Sequence, residues 1–127
     1  YTNPAEAKWI TQVVDRIEIY SEENDSILAL PLNPIFYFLT GRINPTPYDW
    51  ILPGMLNEEE EREVIRKLRA NPPKVIVFVD IPIDGKEDRR LARYTPLIYG
   101  YIMENYVLEE MIGMFQILLP LIKDQKT

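Results

Sequence analysis

Two short, wholly apolar runs separated by helical sequence constrain the fold of this chain most strongly. The first run is ILAL at residues 27–30, and the second lies within KVIVFVD at residues 74–80. Apolar runs of this length, without polar alternation, are typical of parallel strands that are covered on both faces. Because helical sequence lies between them, the two runs predict a β-α-β unit with a right-handed crossover.

Two helices are predicted around the first strand. Residues 4–17 repeat apolar side chains at i, i+3 and i+4. After the strand, Asn33 followed by Pro34 predicts an N-cap and a first helical residue, and Gly41 is a natural helix end. Residues 35–39 should therefore be helical.

The acidic run EEEE at residues 58–61 has a structural interpretation that we favour over an acidic metal site. Asn57 predicts an N-cap and Glu60 its capping-box partner, while the other carboxylates suit the positive end of the helix dipole. The basic residues that follow suit its C-terminus, and Asn71-Pro72-Pro73 should end the helix.

The C-terminal third predicts a helix over residues 97–106 and then a hairpin. Two strand-like runs, 107–112 and 114–119, meet at Gly113. Residues 81–93 are expected to be a charged loop. The predicted fold is α/β: one domain over residues 1–127, a three-layer sandwich with a mixed, mainly parallel sheet flanked by helices and a C-terminal antiparallel hairpin.

Composition excludes several function classes. The net charge of −6 argues against a nucleic-acid partner, because such binding requires a basic surface. The chain has no cysteine and no histidine, which removes thiol nucleophiles, thiolate metal sites and histidine-dependent catalysis. Since no phosphate-binding loop or serine elbow is present either, we predict no catalytic residue, no metal and no cofactor.

Five residues are candidates for a substrate-binding surface. Arg42 could bind a phosphate or hydrogen-bond the carbonyls at the helix end beside Gly41. Tyr48, Asp49 and Trp50 could form a sugar platform or anchor a proline-rich loop, residues 42–50, to the body. This loop is predicted to lie at the functional end of the sheet. Asp80, at the end of the central strand, could present a carboxylate or cap the next turn.

The tyrosines of the C-terminal third have a structural interpretation as well. We predict a helix–sheet interface rather than a cofactor site for Tyr94, Tyr99, Tyr101 and Tyr106.

Three segments carry a family resemblance. They are ALPLNPIFYFLTGRINPT at 29–46, NPPKVIVFVD at 71–80 and YTPLIYGYIMENY at 94–106. Together they resemble the C-terminal soluble domain of bacterial membrane-embedded glycosyltransferases of the protein mannosyltransferase and aminoarabinose transferase group. The resemblance covers residues 9–119.

This resemblance implies that the chain is a domain of a larger integral membrane protein, on the extracytoplasmic side of the cytoplasmic membrane. The parent enzyme would transfer a sugar from a polyprenyl-phosphate donor, using acidic residues of its membrane part. The domain would contact that transmembrane part, and a lipid-linked sugar or acceptor, without being catalytic itself. The alternative is a free-standing flavodoxin-like or Rossmann-like domain, for ligand or protein binding, with a site near Asp80.

Overall fold

The computed structural model describes residues 4–31, 33–80, 85–86 and 90–121. Within these ranges the chain forms five helices and four strands, which confirms the α/β class. In chain order the elements are α1 (Pro4–Tyr20), β1 (Ile27–Leu30), α2 (Ile35–Thr40), α3 (Glu58–Ala70), β2 (Val75–Phe78), α4 (Leu91–Tyr94), α5 (Pro96–Asn105), β3 (Tyr106–Ile112) and β4 (Phe115–Pro120).

The four strands form one open mixed sheet in the order β1-β2-β4-β3. β1 and β2 are parallel, with Ile27 opposite Val75, as the two apolar runs predict. β4 pairs antiparallel with both β2 and β3, so the C-terminal hairpin is confirmed. The prediction of a mainly parallel sheet is wrong, because β4 pairs antiparallel with both β2 and β3 and the β1–β2 pairing is the one parallel pairing of the described sheet.

Buried side chains form two separate clusters, and alternate residues of β1 and β2 belong to different ones. Residues of α1 and α2 pack with Ile27, Ala29, Val75 and Val77. Residues of α3, α4 and α5 pack with Leu28, Leu30, Ile76 and Phe78. Because β1 and β2 are buried along their whole length, their sequences show no polar alternation.

The helix ends follow the sequence signals with one exception. At α3, Asn57 Oδ1 accepts the Glu60 N–H and Glu60 Oε1 accepts the Asn57 N–H, each at 2.8 Å, which confirms the capping box. Gly41 ends α2 with a φ of 70°, in the left-handed region that favours glycine. The predicted Asn33 cap is wrong: Pro34 holds the N-cap position and no side chain caps the helix.

The turn between β3 and β4 depends on a glycine for two reasons. Gly113 has a φ of 60°. A Cβ atom at this position would overlap the ring of Trp9, which lies directly against the turn. The hairpin is therefore held to α1 by a close approach that no other residue permits.

The segment predicted as a charged loop ends in a short helix that the sequence did not indicate. Residues 81–84 and 87–89 lie outside the described residues. α4 follows, with Leu91 fully buried. Its last residue, Tyr94, donates its hydroxyl hydrogen bond to Ile51 O at 2.7 Å, which ties α4 to the segment after the proline-rich loop.

Candidate functional site

The proline-rich loop runs along the outer edge of β1. Backbone groups of the loop and of Ile51, which follows it, satisfy polar groups that an edge strand would otherwise expose, and so does the hydroxyl of Tyr37 on α2. The bonds join Ile27 N to Ile43 O (2.9 Å), Ala29 N to the Tyr37 hydroxyl (2.8 Å), and Ile51 N to Pro31 O (3.0 Å). The loop therefore covers the outer edge of β1.

Arg42 uses its guanidinium to join the ends of two helices. Nε donates to Ser21 Oγ at 3.1 Å and Nη2 donates to Ser21 O at 2.9 Å, just beyond α1. Nη1 donates to Thr40 O at 3.1 Å, at the end of α2. Of the two interpretations of Arg42, the contacts match the one that satisfies helix-end carbonyls.

The structure separates Arg42 from the other candidates. Because the loop runs parallel to β1, Ile43 lies beside Ser26 and Ile27, whereas Ile51 bonds to Pro31 at the other end of the strand. Arg42 is thus at the amino end of β1 and Trp50 near its carboxyl end. The prediction that the loop as a whole lies at the functional end of the sheet is wrong for Arg42.

Tyr48, Asp49 and Trp50 have different environments. Tyr48 packs against the cluster that contains Leu28, and its carbonyl accepts the Asn44 side-chain amide at 2.7 Å. Trp50 keeps 46% of its surface exposed, and Asp49 is exposed as well. Tyr48 therefore anchors the loop, while Asp49 and Trp50 remain accessible to a partner.

Tyr37 lies between this loop and β1, where its pKa is perturbed. Burial raises the pKa of Tyr37 to about 12; the hydrogen bond from Ala29 opposes this rise, and the charge of Asp49 adds to it. The phenol therefore stays protonated at neutral pH. It accepts the edge N–H of Ala29 in that form.

Asp80 follows β2 and pairs with Arg90. Arg90 Nη1 donates to the backbone carbonyl of Asp80 at 2.8 Å and lies 3.3 Å from its Oδ1. These contacts connect the strand end to the start of α4; the turn that Asp80 is predicted to cap, residues 81–84, lies outside the described residues. The five candidate residues thus do not converge on one cavity.

A buried carboxylate joins α3 to α5. Glu61 is only 5% exposed, and its Oε1 accepts the backbone N–H groups of Leu97 (2.9 Å) and Ile98 (3.1 Å). These are two of the N–H groups that the start of α5 cannot satisfy within the helix. Glu61 therefore fixes the position of α5 against α3.

Beside this contact lies a cleft of about 440 Å³ between α3 and α5, which we call the arginine cleft. Its volume is within the range of small-molecule sites. Gly100 contributes no side chain to the α5 wall, and a Cβ there would meet nothing within 4 Å. The lining residues are Arg62, Ile65, Arg66, Arg69, Pro96, Leu97, Gly100, Tyr101 and Glu104.

The three arginines of the cleft are held by α3 carboxylates or by an aromatic ring. Arg62 lies 3.4 Å from Glu58, and Arg66 lies 2.5 Å from Glu63. The hydrogen bond with Arg66 lowers the pKa of Glu63. The remaining arginine, Arg69, lies 5.3 Å from the ring centre of Tyr101, in cation–π geometry.

Tyr101 contributes a neutral phenol to the cleft. Burial raises its pKa, and the neighbouring charge of Arg69 opposes the rise without cancelling it. The hydroxyl is therefore protonated over the physiological range and can act as a hydrogen-bond donor.

Sequence reasoning did not find the arginine cleft. It assigned the arginines of α3 to a helix C-terminus and the tyrosines to a helix–sheet interface. The second assignment is confirmed for Tyr94, Tyr99, Tyr101 and Tyr106, which pack in or against the cluster containing Leu28. The signal that could have found the cleft is the spacing of Arg62, Arg66 and Arg69, which places them on one helix face.

Within the described ranges, no three acidic side chains are grouped so as to hold a metal ion. In the same part of the chain, no helix has the length and apolar content needed to span a membrane. A scan against protein-family models, a search of curated proteins and a search of solved structures each return no match for this chain.

Proposed function

We propose that this chain is a non-catalytic, extracytoplasmic domain of a bacterial membrane glycosyltransferase. The parent enzyme would transfer a sugar from a polyprenyl-phosphate donor. The domain would dock on the transmembrane part of the same polypeptide and help to bind donor or acceptor, or to close the active site. The sequence resemblance over residues 9–119 supports this proposal, as does the absence of histidine and cysteine.

The observation that carries the docking part of the proposal is the apolar outward face of α2. Ile35, Phe38 and Leu39 lie at i, i+3 and i+4 and are 43%, 85% and 45% exposed. A surface helix normally presents polar residues on this face. An outward-facing apolar stripe is what a domain needs if another part of the enzyme covers it.

The exposed residues of the proline-rich loop would extend this contact surface. Trp50 and Asp49 are accessible, and the loop is already ordered by its own hydrogen bonds and by Ile51. Little conformational entropy would then be lost when a partner binds. Arg42 would act by holding α1 and α2 together beneath this surface.

We also propose that the fold is a three-layer sandwich with helices on both faces of the sheet. The division of buried residues between two clusters supports it, since α1 and α2 contribute to one cluster and α3, α4 and α5 to the other. In this arrangement the α2 face would dock on the membrane part while the arginine cleft stays on the far side.

The alternative, a free-standing flavodoxin-like or Rossmann-like domain with a site near Asp80, has less support. Such a site needs an available carboxylate at the sheet edge, whereas Asp80 is engaged by Arg90. Reading the genomic frame around this segment separates the two functions. Apolar spans of about 20 residues upstream support the glycosyltransferase proposal, and their absence contradicts it.

The biochemical test uses the full-length parent enzyme in proteoliposomes with a polyprenyl-phosphate sugar donor. Phe38→Glu should lower sugar transfer about tenfold or more, because burying a phenylalanine side chain is worth about 1.5–3 kcal/mol. The melting temperature of the 127-residue chain should not change, since Phe38 is exposed.

Met111→Glu is the matched control, since Met111 is 56% exposed on β3, away from α2. It should leave transfer unchanged. Equal transfer by both variants and the natural enzyme would refute docking through α2. Sugar transfer by the 127-residue chain alone would refute its non-catalytic role.

A further inference from the structure

We infer that the arginine cleft between α3 and α5 binds the phosphate or diphosphate group of a ligand. This inference does not depend on the glycosyltransferase proposal, because it rests on the local chemistry of the cleft. It would hold equally for a lipid-linked donor and for a free phosphorylated metabolite.

Three guanidinium groups lie along one wall of the cleft. Arg62, Arg66 and Arg69 lie at i, i+4 and i+7 of α3 and line this wall. Seven residues of helix extend over about 10 Å, which is long enough to contact two adjacent phosphate groups. Among the described residues, one carboxylate, that of Glu104, lines the cleft itself.

The ion pairs on α3 offset part of the charge of Arg62 and Arg66. Arg69 instead contacts the ring of Tyr101. Glu58, Glu59 and Glu63 are solvent-exposed partners that do not line the cavity. They orient the arginines, and each guanidinium has five N–H donors, so donors remain for an anion.

The cleft has room for a ligand. Gly100 leaves the α5 wall open where a larger residue would fill it, and the cavity measures about 440 Å³. Glycine within a helix is less stable than alanine would be, so this open wall has a cost in helix stability.

The cleft combines apolar and charged surfaces. Ile65, Leu97 and the ring of Tyr101 supply apolar walls beside the arginines. An arginine guanidinium can donate two parallel hydrogen bonds to two oxygens of one phosphate group. The neutral Tyr101 hydroxyl can donate a further hydrogen bond. The cleft therefore suits a ligand with an anionic end and an apolar or sugar end.

The test is calorimetric titration of the 127-residue chain with inorganic pyrophosphate at about 0.15 M salt, where exposed charges are screened. Arg66→Gln should weaken binding about tenfold or more. Lys67→Gln is the matched control, because Lys67 is the next residue, pairs with the same Glu63 and lies outside the cleft. It should change binding less than about twofold, as expected for a screened surface charge.

A steric variant tests the cleft without removing charge. Gly100→Leu should abolish pyrophosphate binding by filling the cavity, while raising the melting temperature because leucine favours helix more than glycine does. Glu104→Gln should have the opposite effect on binding and tighten it, since it removes the carboxylate that would repel a phosphate.

Two further titrations distinguish the sources of the phosphate. Tighter binding of a water-soluble short-chain prenyl diphosphate than of pyrophosphate identifies a lipid-linked ligand, and equal binding identifies a free phosphate group. Equal losses in Arg66→Gln and Lys67→Gln would overturn the inference in favour of diffuse electrostatics. Failure of both compounds to bind, or unchanged binding in Gly100→Leu, would also overturn it.

Discussion

The proline-rich loop and the arginine cleft both present arginine beside tyrosine, yet the two regions use these residues differently. The guanidinium of Arg42 donates three hydrogen bonds to Ser21 and Thr40, so this side chain has a structural role. Arg66 pairs with the exposed carboxylates of Glu59 and Glu63 on its own helix and lines the cleft. The comparison teaches that an arginine next to aromatics indicates a binding site only when its donors are not already used by the backbone.

The tyrosines show the same contrast. Tyr37 accepts the edge N–H of Ala29 and has a pKa of about 12, whereas Tyr101 lines a cavity opposite Arg69. One hydroxyl completes a strand edge and the other faces a potential ligand. We therefore expect changes in the loop to affect stability first, and changes in the cleft to affect binding first.

The largest expected effect separates the anchor of the loop from its exposed surface. Ile51 is 1% exposed and Trp50 is 46% exposed. Ile51→Ala should lower the free energy of unfolding by about 2–5 kcal/mol, because it leaves a cavity in the core. Trp50→Ala should lower the free energy of unfolding by clearly less than Ile51→Ala does. Urea denaturation measures both, and a larger loss for Trp50→Ala would mean that the loop is anchored by its tryptophan.

The next largest expected effect is a loss of stability when the hydrogen bonds between Glu61 and α5 are removed. Glu61→Ala should lower the free energy of unfolding by about 1–3 kcal/mol, because two backbone N–H groups of α5 lose their buried acceptor. Glu59→Ala is the control: its side chain is 73% exposed, and we expect a change within about 0.5 kcal/mol. Similar losses in thermal denaturation would show that Glu61 does not fix α5.

A smaller effect tests the contrast between the two arginines directly. Arg42→Ala should cost about 1–2 kcal/mol, since it removes three hydrogen bonds at the ends of α1 and α2. Arg66→Ala should cost less than about 0.5 kcal/mol, because exposed ion pairs contribute little. Chemical denaturation measures the free energy of unfolding of both variants. An equal loss in the two would show that Arg42 is no more important for the fold than Arg66.

The smallest expected effect is a loss of stability at high pH that is caused by Tyr37. Tyr37 holds its proton up to about pH 12 when folded, whereas an unfolded tyrosine loses it near pH 10. Above pH 10 the unfolded state binds fewer protons, so stability falls as pH rises. The loss from this one group should reach about 1 kcal/mol at pH 10.5.

Denaturation of Tyr37→Phe over pH 9–11 checks this expectation. The variant should lack this part of the alkaline loss, while the part due to Tyr106 remains, because burial raises that pKa too. An identical alkaline slope in the variant and the natural chain would contradict the burial of the Tyr37 phenol.

The sequence by itself determined the local structure of this protein. The two apolar runs became the buried parallel pair β1 and β2, and Asn57 with Glu60 formed the expected capping box. Gly41 and Gly113 ended the elements where a positive φ was required. These features follow from backbone sterics, from helix-end hydrogen bonding and from the burial of contiguous apolar residues, all of which act over a few neighbouring residues.

Tertiary structure alone decided the strand order, the role of Arg42 and the arginine cleft. The insertion of β4 between β2 and β3 depends on how the hairpin packs against the whole sheet, with Trp9 against Gly113. The donors of Arg42 meet Ser21 only because α1 and α2 end side by side. The cleft exists because Glu61 places α5 opposite the arginines of α3, and partners 36 residues apart leave no local pattern in the sequence.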